Sequence, residues 1–315
     1  SYILLSPLGA GVFYPSHSVF RPLPLAIANG NFVFIKSGDF MGTIKQVEKI
    51  YTDARANMVG DGFQVFNAFP GGNRLPLNRL SPFFLLDYAA PHYFPPTHTP
   101  RGVDEHPHRG FETVTIAYQG AVSHRDSGGN SGVIHAGDIQ WMTAASGVVH
   151  EEKHEADFSL SGGILEMIQL WVNLPKAHKM DKPRYQTLLK ENIPVITLSN
   201  KESYLRVIAG KYENTSGSAQ TFSPINMYDV LLKKDDEIII TLPEDYTTAI
   251  YVREGGKLRI NNTHTAEGKN LAVMENKGET FTLKALEDVA FLILNGEPLH
   301  ESIVAYGPFG MNTKE

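Results

Sequence analysis

From about Phe63 onward the chain is a succession of short apolar or β-branched runs separated by Gly, Pro, Asn and Asp. The runs are Phe63–Phe69, Phe83–Tyr88, Thr113–Tyr118, Ile139–Met142 and Met167–Val172, then Tyr204–Ala209, Met227–Leu232, Glu237–Leu242, Thr248–Val252, Leu271–Met274 and Val289–Leu294. Short strands at regular spacing, closed by turn residues, predict an all-β sandwich or barrel. Long amphipathic helices are not evident. Only Gly42–Arg55, with Ile44, Val47 and Ile50 three residues apart, predicts a modest helix. At roughly 100–200 residues per domain, 315 residues suggest two such units. The polar, basic stretch Asn173–Tyr185, with Pro175 and Pro183, reads as the linker between them. This gives an N-terminal barrel over 41–180 and a C-terminal barrel over 181–315.

The two units differ in chemistry. Nine of the twelve histidines lie between His92 and His178, and only His264 and His300 lie beyond. One chemically equipped unit and one structural unit is the simplest reading. The net charge of −6 supplies no basic field for nucleic acid and no reason to expect a membrane surface. There are no cysteines, which excludes disulfides, thiolate metal sites and Cys nucleophiles. That also fits a reducing compartment, and a cytoplasmic location is expected. No run of eighteen apolar residues occurs. Residues 1–40 are broken by four prolines and lack the features of a secretory signal. Met41 opens a segment that reads like a normal start, so 1–40 is expected to be a leader or an upstream extension.

Metal chemistry is signalled twice. In Glu105-His106-Pro107-His108-Arg109-Gly110-Phe111-Glu112, two histidines stand at i and i+2. On an extended strand both imidazoles point to one face and can reach one ion at about 2.0–2.1 Å. Pro107 keeps the backbone of His106 extended. In the second segment, Gly137-Asp138 opens the run Ile139–Met142, and His150 and Glu152 repeat the i, i+2 spacing after Gly147. Strand alternation turns Glu152 inward and its neighbour Glu151 outward. Three imidazoles and a carboxylate, without sulfur, suit Fe(II), Mn, Ni, Co, Zn or Cu.

These strings resemble the two cupin motifs and, more narrowly, those of the pirin family. The resemblance rests on His106–Val114, Gly137–Ala144, Leu170–Pro175, Gly296–Leu299, Gly307-Pro308-Phe309 and Met311-Asn312-Thr313. It runs from about Val59 to Thr313 and implies a bicupin, two tandem jelly-roll-like β-barrels with one iron in the first. The ligands it implies are His106, His108, His150 and Glu152. Glu112 is the matching acid of the first motif, and His154 stands where many cupins have Asn. The resemblance also implies Fe(II)-dependent, O2-dependent ring cleavage of a flavonol such as quercetin, with Glu152 or Glu112 accepting the hydroxyl proton. A different class is an iron-dependent redox-sensing regulator that binds a protein partner, a transcription factor or a metabolic enzyme. A monomer is expected.

Blander roles stand beside these. Glu112 could pair with Arg109 or Arg125 in a structural network. His124, His135 and His154 read as structural or solvent-facing, and His92 and His98 as loop residues in Pro91–Pro100. Trp141 and Trp171 read as core. No His-x-His strand pair occurs in the C-terminal half, so the second barrel is expected to hold no metal.

Overall fold

Each of the eleven apolar runs lies wholly or almost wholly within a strand. The computed structural model describes residues 43–315 apart from 53–54, 72–73, 199–201, 254 and 315. It also gives the backbone of one antiparallel pair, Leu25–Ala28 with Asn31–Phe34. The expected leader over 1–40 otherwise falls outside the described residues.

The strands build two barrels of the same plan, each a seven-stranded sheet facing a four-stranded one. In the first barrel the large sheet runs Arg184–Leu188, Ile139–Thr143, Phe111–Gln119, Gly163–Asn173, Phe83–Phe94, Phe63–Phe69, Ala56–Val59. Its small sheet runs Ser131–His135, Ala121–Asp126, Val148–His154, Gly102–His108. In the second barrel the large sheet runs from Val195–Thr197 through Tyr204–Ala209, Ile225–Leu232, Val289–Gly296, Thr247–Val252 and Asn270–Met274 to Val47–Thr52. Glu237–Thr241, Thr280–Ala285, Lys257–Ile260 and His264–Glu267 form its small sheet. All named strand pairs are antiparallel, so each can offer one face to a core and the other to a second layer.

Two strands cross the expected boundary at residue 180. Val47–Thr52 is an edge strand of the second barrel, paired with Asn270–Met274. Arg184–Leu188 is an edge strand of the first, paired with Ile139–Thr143. Each barrel thus receives an edge strand from the segment that leads into the other. The expected helix over 42–55 is therefore wrong: Val47–Thr52 is extended. Its spacing fits a helix, but Val, Ile, Tyr and Thr favour strands, and pairing satisfies a whole row of backbone groups that Asn270–Met274 would leave open. The end of the expected linker is ordered for the same reason. Its earlier part contains only a short helical turn, Lys176–His178.

Alternation gives each large sheet two buried faces. One face of each meets the other across a shared apolar layer. It includes Val114, Ile116, Trp141, Ile168 and Leu170 of the first barrel and Met227, Tyr251, Val273, Leu292 and Leu294 of the second. The opposite face looks into its own barrel. In the second barrel that interior is apolar, filled by residues such as Ile240, Leu258, Phe281, Leu283 and Phe291. In the first, a smaller apolar cluster around Phe63, Val65, Ala117, Val122 and Met167 fills only part of the interior. The remainder is polar, and the histidines lie there.

Candidate metal centre

His106 and His108 are carried by Gly102–His108, the edge strand of the small sheet. Pro107 lies between them with no N–H to donate, a residue tolerated on an edge strand. His150 comes from Val148–His154, directly opposite His106 in the antiparallel register. The three imidazoles converge. Their ring centres lie 4.4 Å (His106–His150), 4.8 Å (His106–His108) and 4.9 Å (His108–His150) apart. One ring nitrogen of each lies within 4.8 Å of the other two. Nitrogens each about 2.1 Å from one ion in a tetrahedral or octahedral arrangement lie about 3.0–3.4 Å apart, so the set must close by no more than about 2 Å to hold one.

Hydrogen bonds orient two of the rings. His106 Nδ1 is 2.7 Å from the Asp104 carbonyl. His108 Nδ1 is 3.4 Å from the Pro308 carbonyl. A carbonyl only accepts, so both Nδ1 atoms carry the proton and both Nε2 atoms keep a lone pair for a ligand. His150 differs: both of its nitrogens are buried and neither has a hydrogen-bond partner. A buried imidazole left in that state loses the hydration of both polar atoms without replacement, and a metal ion would supply it. Burial, reinforced by the neighbouring imidazoles, pushes His150 down to about 2. Burial and His106 push His108 down to about 4. Both are neutral near pH 7, the state that binds metals.

Glu152 faces the same interior. The burial pattern of Val148–His154 alternates, with 148, 150, 152 and 154 buried. Glu151 points outward and accepts from Arg125 Nε at 3.1 Å. The Glu152 carboxylate is not among the donor atoms that cluster within 4.8 Å; it accepts from Thr115 Oγ1 at 3.4 Å. A bulge lies at the same point of the strand. Between the pairs His150–His106 and Glu152–Val103 the partner strand holds one extra residue. Burial raises the Glu152 carboxyl to about 7.

Glu112 lies elsewhere. Thr113 and Thr115 share its strand with the opposite facing, and Thr115 is the residue that reaches Glu152. Glu112 therefore projects from the other face of the large sheet, the one that meets the second barrel. There it accepts from Thr143 Oγ1 at 2.7 Å and is 1% exposed. Burial raises it to about 7 as well. The structure does not bring it to the three histidines, and Arg125 pairs with Glu151 and Glu105 instead of with it. Of the other histidines, His124 stacks on Tyr185 with ring centres 5.3 Å apart. His154 is held by the Gly62 carbonyl at 2.8 Å. His92, expected in a loop, lies within the strand Phe83–Phe94.

Several residues at the centre have no site role in the sequence, and Trp171, read there as core, is half-buried beside the histidines. Trp171 and Phe111 pack against His108, with ring centres 5.2 Å from it. Pro308 and Phe309 arrive from the far end of the chain, where Val304–Tyr306 and Phe309–Met311 form a hairpin. Gly110 accommodates that approach: a Cβ there would stand 2.1 Å from the Gly310 carbonyl oxygen. Buried Lys179 fastens the junction, donating from Nζ to the carbonyls of Gly110 and Gly310, each at 2.7 Å, and to Asn173 Oδ1 at 2.5 Å. Gly307-Pro308-Phe309 was visible as a motif, but its place beside His108 was not.

Comparison with known proteins places this geometry. Residues 62–172 match the Pirin family model, and residues 227–315 match that of the pirin C-terminal cupin domain. The chain belongs to the pirin family. A Pseudomonas aeruginosa pirin relative named "Putative quercetin 2,3-dioxygenase" is 48% identical over 272 residues, 86% of this chain and 94% of that protein. The pirin-like protein of Solanum lycopersicum is 35% identical, over 83% of this chain and 85% of its own length. Among solved structures, the quercetin 2,3-dioxygenase from Acinetobacter baumannii is 50% identical with a TM-score of 0.83, covering 86% of this chain and 93% of that one. The bacterial pirin YhhW of Escherichia coli, solved in complex with nickel(II), shares the fold at 20% identity and a TM-score of 0.60, over 79% of this chain and all of its own. Against these, the two-barrel plan of this pirin is the family's cupin fold, and its first barrel carries a histidine triad able to hold a metal ion.

Proposed function

We propose that this pirin is an Fe(II)-dependent dioxygenase of the quercetin 2,3-dioxygenase type, opening the ring of a flavonol-like substrate with O2. The observation that carries the reading is the convergence of three imidazoles, one of them buried with both nitrogens unpartnered. Relatives at 48% and 50% identity bear names for this activity. His106, His108 and His150 would hold the ion, with Glu152 as the fourth donor. When bound, the ion supplies a Lewis-acid and redox centre at which a deprotonated flavonol and O2 can meet.

The chain's own residues supply the rest. Glu152 is the carboxylate on the interior face of the His150 strand. As a donor to the ion it would be held ionised, and it accepts the flavonol hydroxyl proton when its bond to the ion loosens. Thr115 Oγ1 is the polar side-chain atom that approaches the carboxylate, at 3.4 Å. Half-buried Trp171, backed by fully buried Phe111, offers aromatic surface beside His108 against which a planar ring can pack.

Turnover of quercetin in air by Fe(II)-loaded protein tests the reading. Loss of the flavonol absorbance with release of carbon monoxide is expected, and both should vanish in His106→Ala and His150→Ala. Protein carrying one iron per chain that leaves quercetin intact overturns it.

A further inference from the structure

Outside the barrel, a groove of about 840 Å³ opens beside the C-terminal hairpin. That volume falls within the roughly 300–1,000 Å³ of small-molecule sites. Its walls include Arg109, Tyr306, Phe309, Met311 and Lys314. A smaller, open hollow of about 190 Å³ lies on the outer side of the small sheet, lined by Pro107, Ser127 and Val149, and reaches the metal centre only at His108. Arg109 and Phe309 line both spaces, so the groove runs into the hollow that His108 adjoins.

The lining specifies a ligand. Tyr306 is 83% exposed, an unusual place for a large aromatic side chain, and it stands beside apolar Phe309 and Met311. Arg109 Nη2 lies 3.4 Å from Met180 Sδ, and no carboxylate pairs with Arg109 or Lys314 among the described residues. Aromatic and apolar surface flanked by two cations suits a flat, conjugated anion. The wall is firmly set, because Lys179 ties the hairpin backbone at Gly310 to the loop that follows His108.

We infer that the C-terminal hairpin forms a second subsite of the metal centre, which takes the distal ring of a planar polyphenol carrying an anionic group, with Tyr306 against the ring and Arg109 on the charge. This rests on the reading of the centre as a flavonol site. It adds that selectivity among substrates is set by residues from the opposite end of the chain. A substrate engaged at both places passes Arg109 and Phe309.

Equilibrium titration under exclusion of O2 tests the subsite separately from turnover. Quenching of protein fluorescence, with Trp171 adjacent to His108, reports binding of quercetin, quercetin 7-sulfate and quercetin 4′-sulfate to the metal-loaded full chain. At least one sulfate should bind about 5-fold more tightly than quercetin, a modest charge-assisted gain. Arg109→Gln should erase that preference. Tyr306→Ala, at a position too exposed to disturb folding, should weaken every flavonol about 3–10-fold, the worth of one aromatic contact. Metal content measured on each variant excludes loss of the ion as the cause. Equal affinity for all three flavonols in the wild type, a preference that survives Arg109→Gln, or unchanged binding in Tyr306→Ala overturns the subsite. Failure of the wild type to bind any flavonol overturns it together with the proposed function. Binding with these preferences but no turnover in air leaves the subsite standing and removes the dioxygenase.

Discussion

The two barrels share one plan and differ in what fills them. In each, a seven-stranded sheet faces a four-stranded one. On the small sheet of the second barrel, the inward positions of Glu237–Thr241 and Thr280–Ala285 carry Ile238, Ile240, Phe281 and Leu283, all buried. The corresponding pair of strands in the first barrel, Gly102–His108 and Val148–His154, carries His106, His108, His150 and Glu152. One interior excludes water with hydrocarbon. The other buries imidazoles and carboxylates that hydrocarbon cannot satisfy. A cupin-type barrel does not need a metal to close, so the polar interior of the first barrel is a feature of its site.

That contrast can be broken most sharply at His150. Removing its imidazole should abolish metal retention, a loss of more than about 100-fold in affinity, since even groups behind a ligand are worth about 10–100-fold. Metal analysis should fall from one ion per chain to near none; a His150→Ala variant that keeps its ion would mean the site lies elsewhere. In the second barrel the largest effect should be on stability. Phe281→Ala should cost about 3–5 kcal/mol in denaturant unfolding, as deletion of a fully buried aromatic does, while metal content stays at one per chain. A cost below about 1 kcal/mol would show that the interior is not packed as described.

Glu112 tests the boundary between the barrels. Its carboxyl is raised from 4.5 to about 7, chiefly by burial. For a group raised in the folded state, the stabilising contribution is complete below pH 4.5 and is lost as pH rises through 7. Glu112→Gln should therefore stabilise the protein above pH 8 by on the order of 3 kcal/mol, with the gain vanishing below pH 4.5. Thermal unfolding across that range measures it, and a gain that grows toward acid pH would reverse the assignment. The smallest effect is expected at Thr115, whose one hydroxyl proton goes to Gln169 Oε1 at 2.8 Å and is only shared with Glu152 at 3.4 Å. Thr115→Val should cost about 1 kcal/mol of stability, the net worth of an ordinary hydrogen bond, and should shift metal affinity less than 10-fold. A loss as large as that of His150→Ala would make Thr115 part of the metal machinery.

How much of this was written in the chain varies from residue to residue. The strands were legible because short β-branched runs bounded by turn residues permit little else. The histidine triad was legible because the i, i+2 spacing fixes the facing of side chains on an extended strand wherever that strand lies. The inward turn of Glu152 followed from the same rule. Glu112 did not follow, because the turn at Arg109-Gly110 starts a new strand whose facing local spacing cannot set. The strand Val47–Thr52 was misread as a helix for a related reason. Its partner, Asn270–Met274, lies more than two hundred residues away, and long-range pairing outweighed a local periodicity. The sequence by itself determined most of the strands and the common facing of His106 with His108 and of His150 with Glu152, properties of neighbours a few residues apart. Only the tertiary structure decided which strand closes which barrel, which face Glu112 presents, and that the Pro308 carbonyl stands at His108, two hundred residues earlier in the chain. Contacts of that kind depend on how distant segments pack, and nothing in local spacing encodes them.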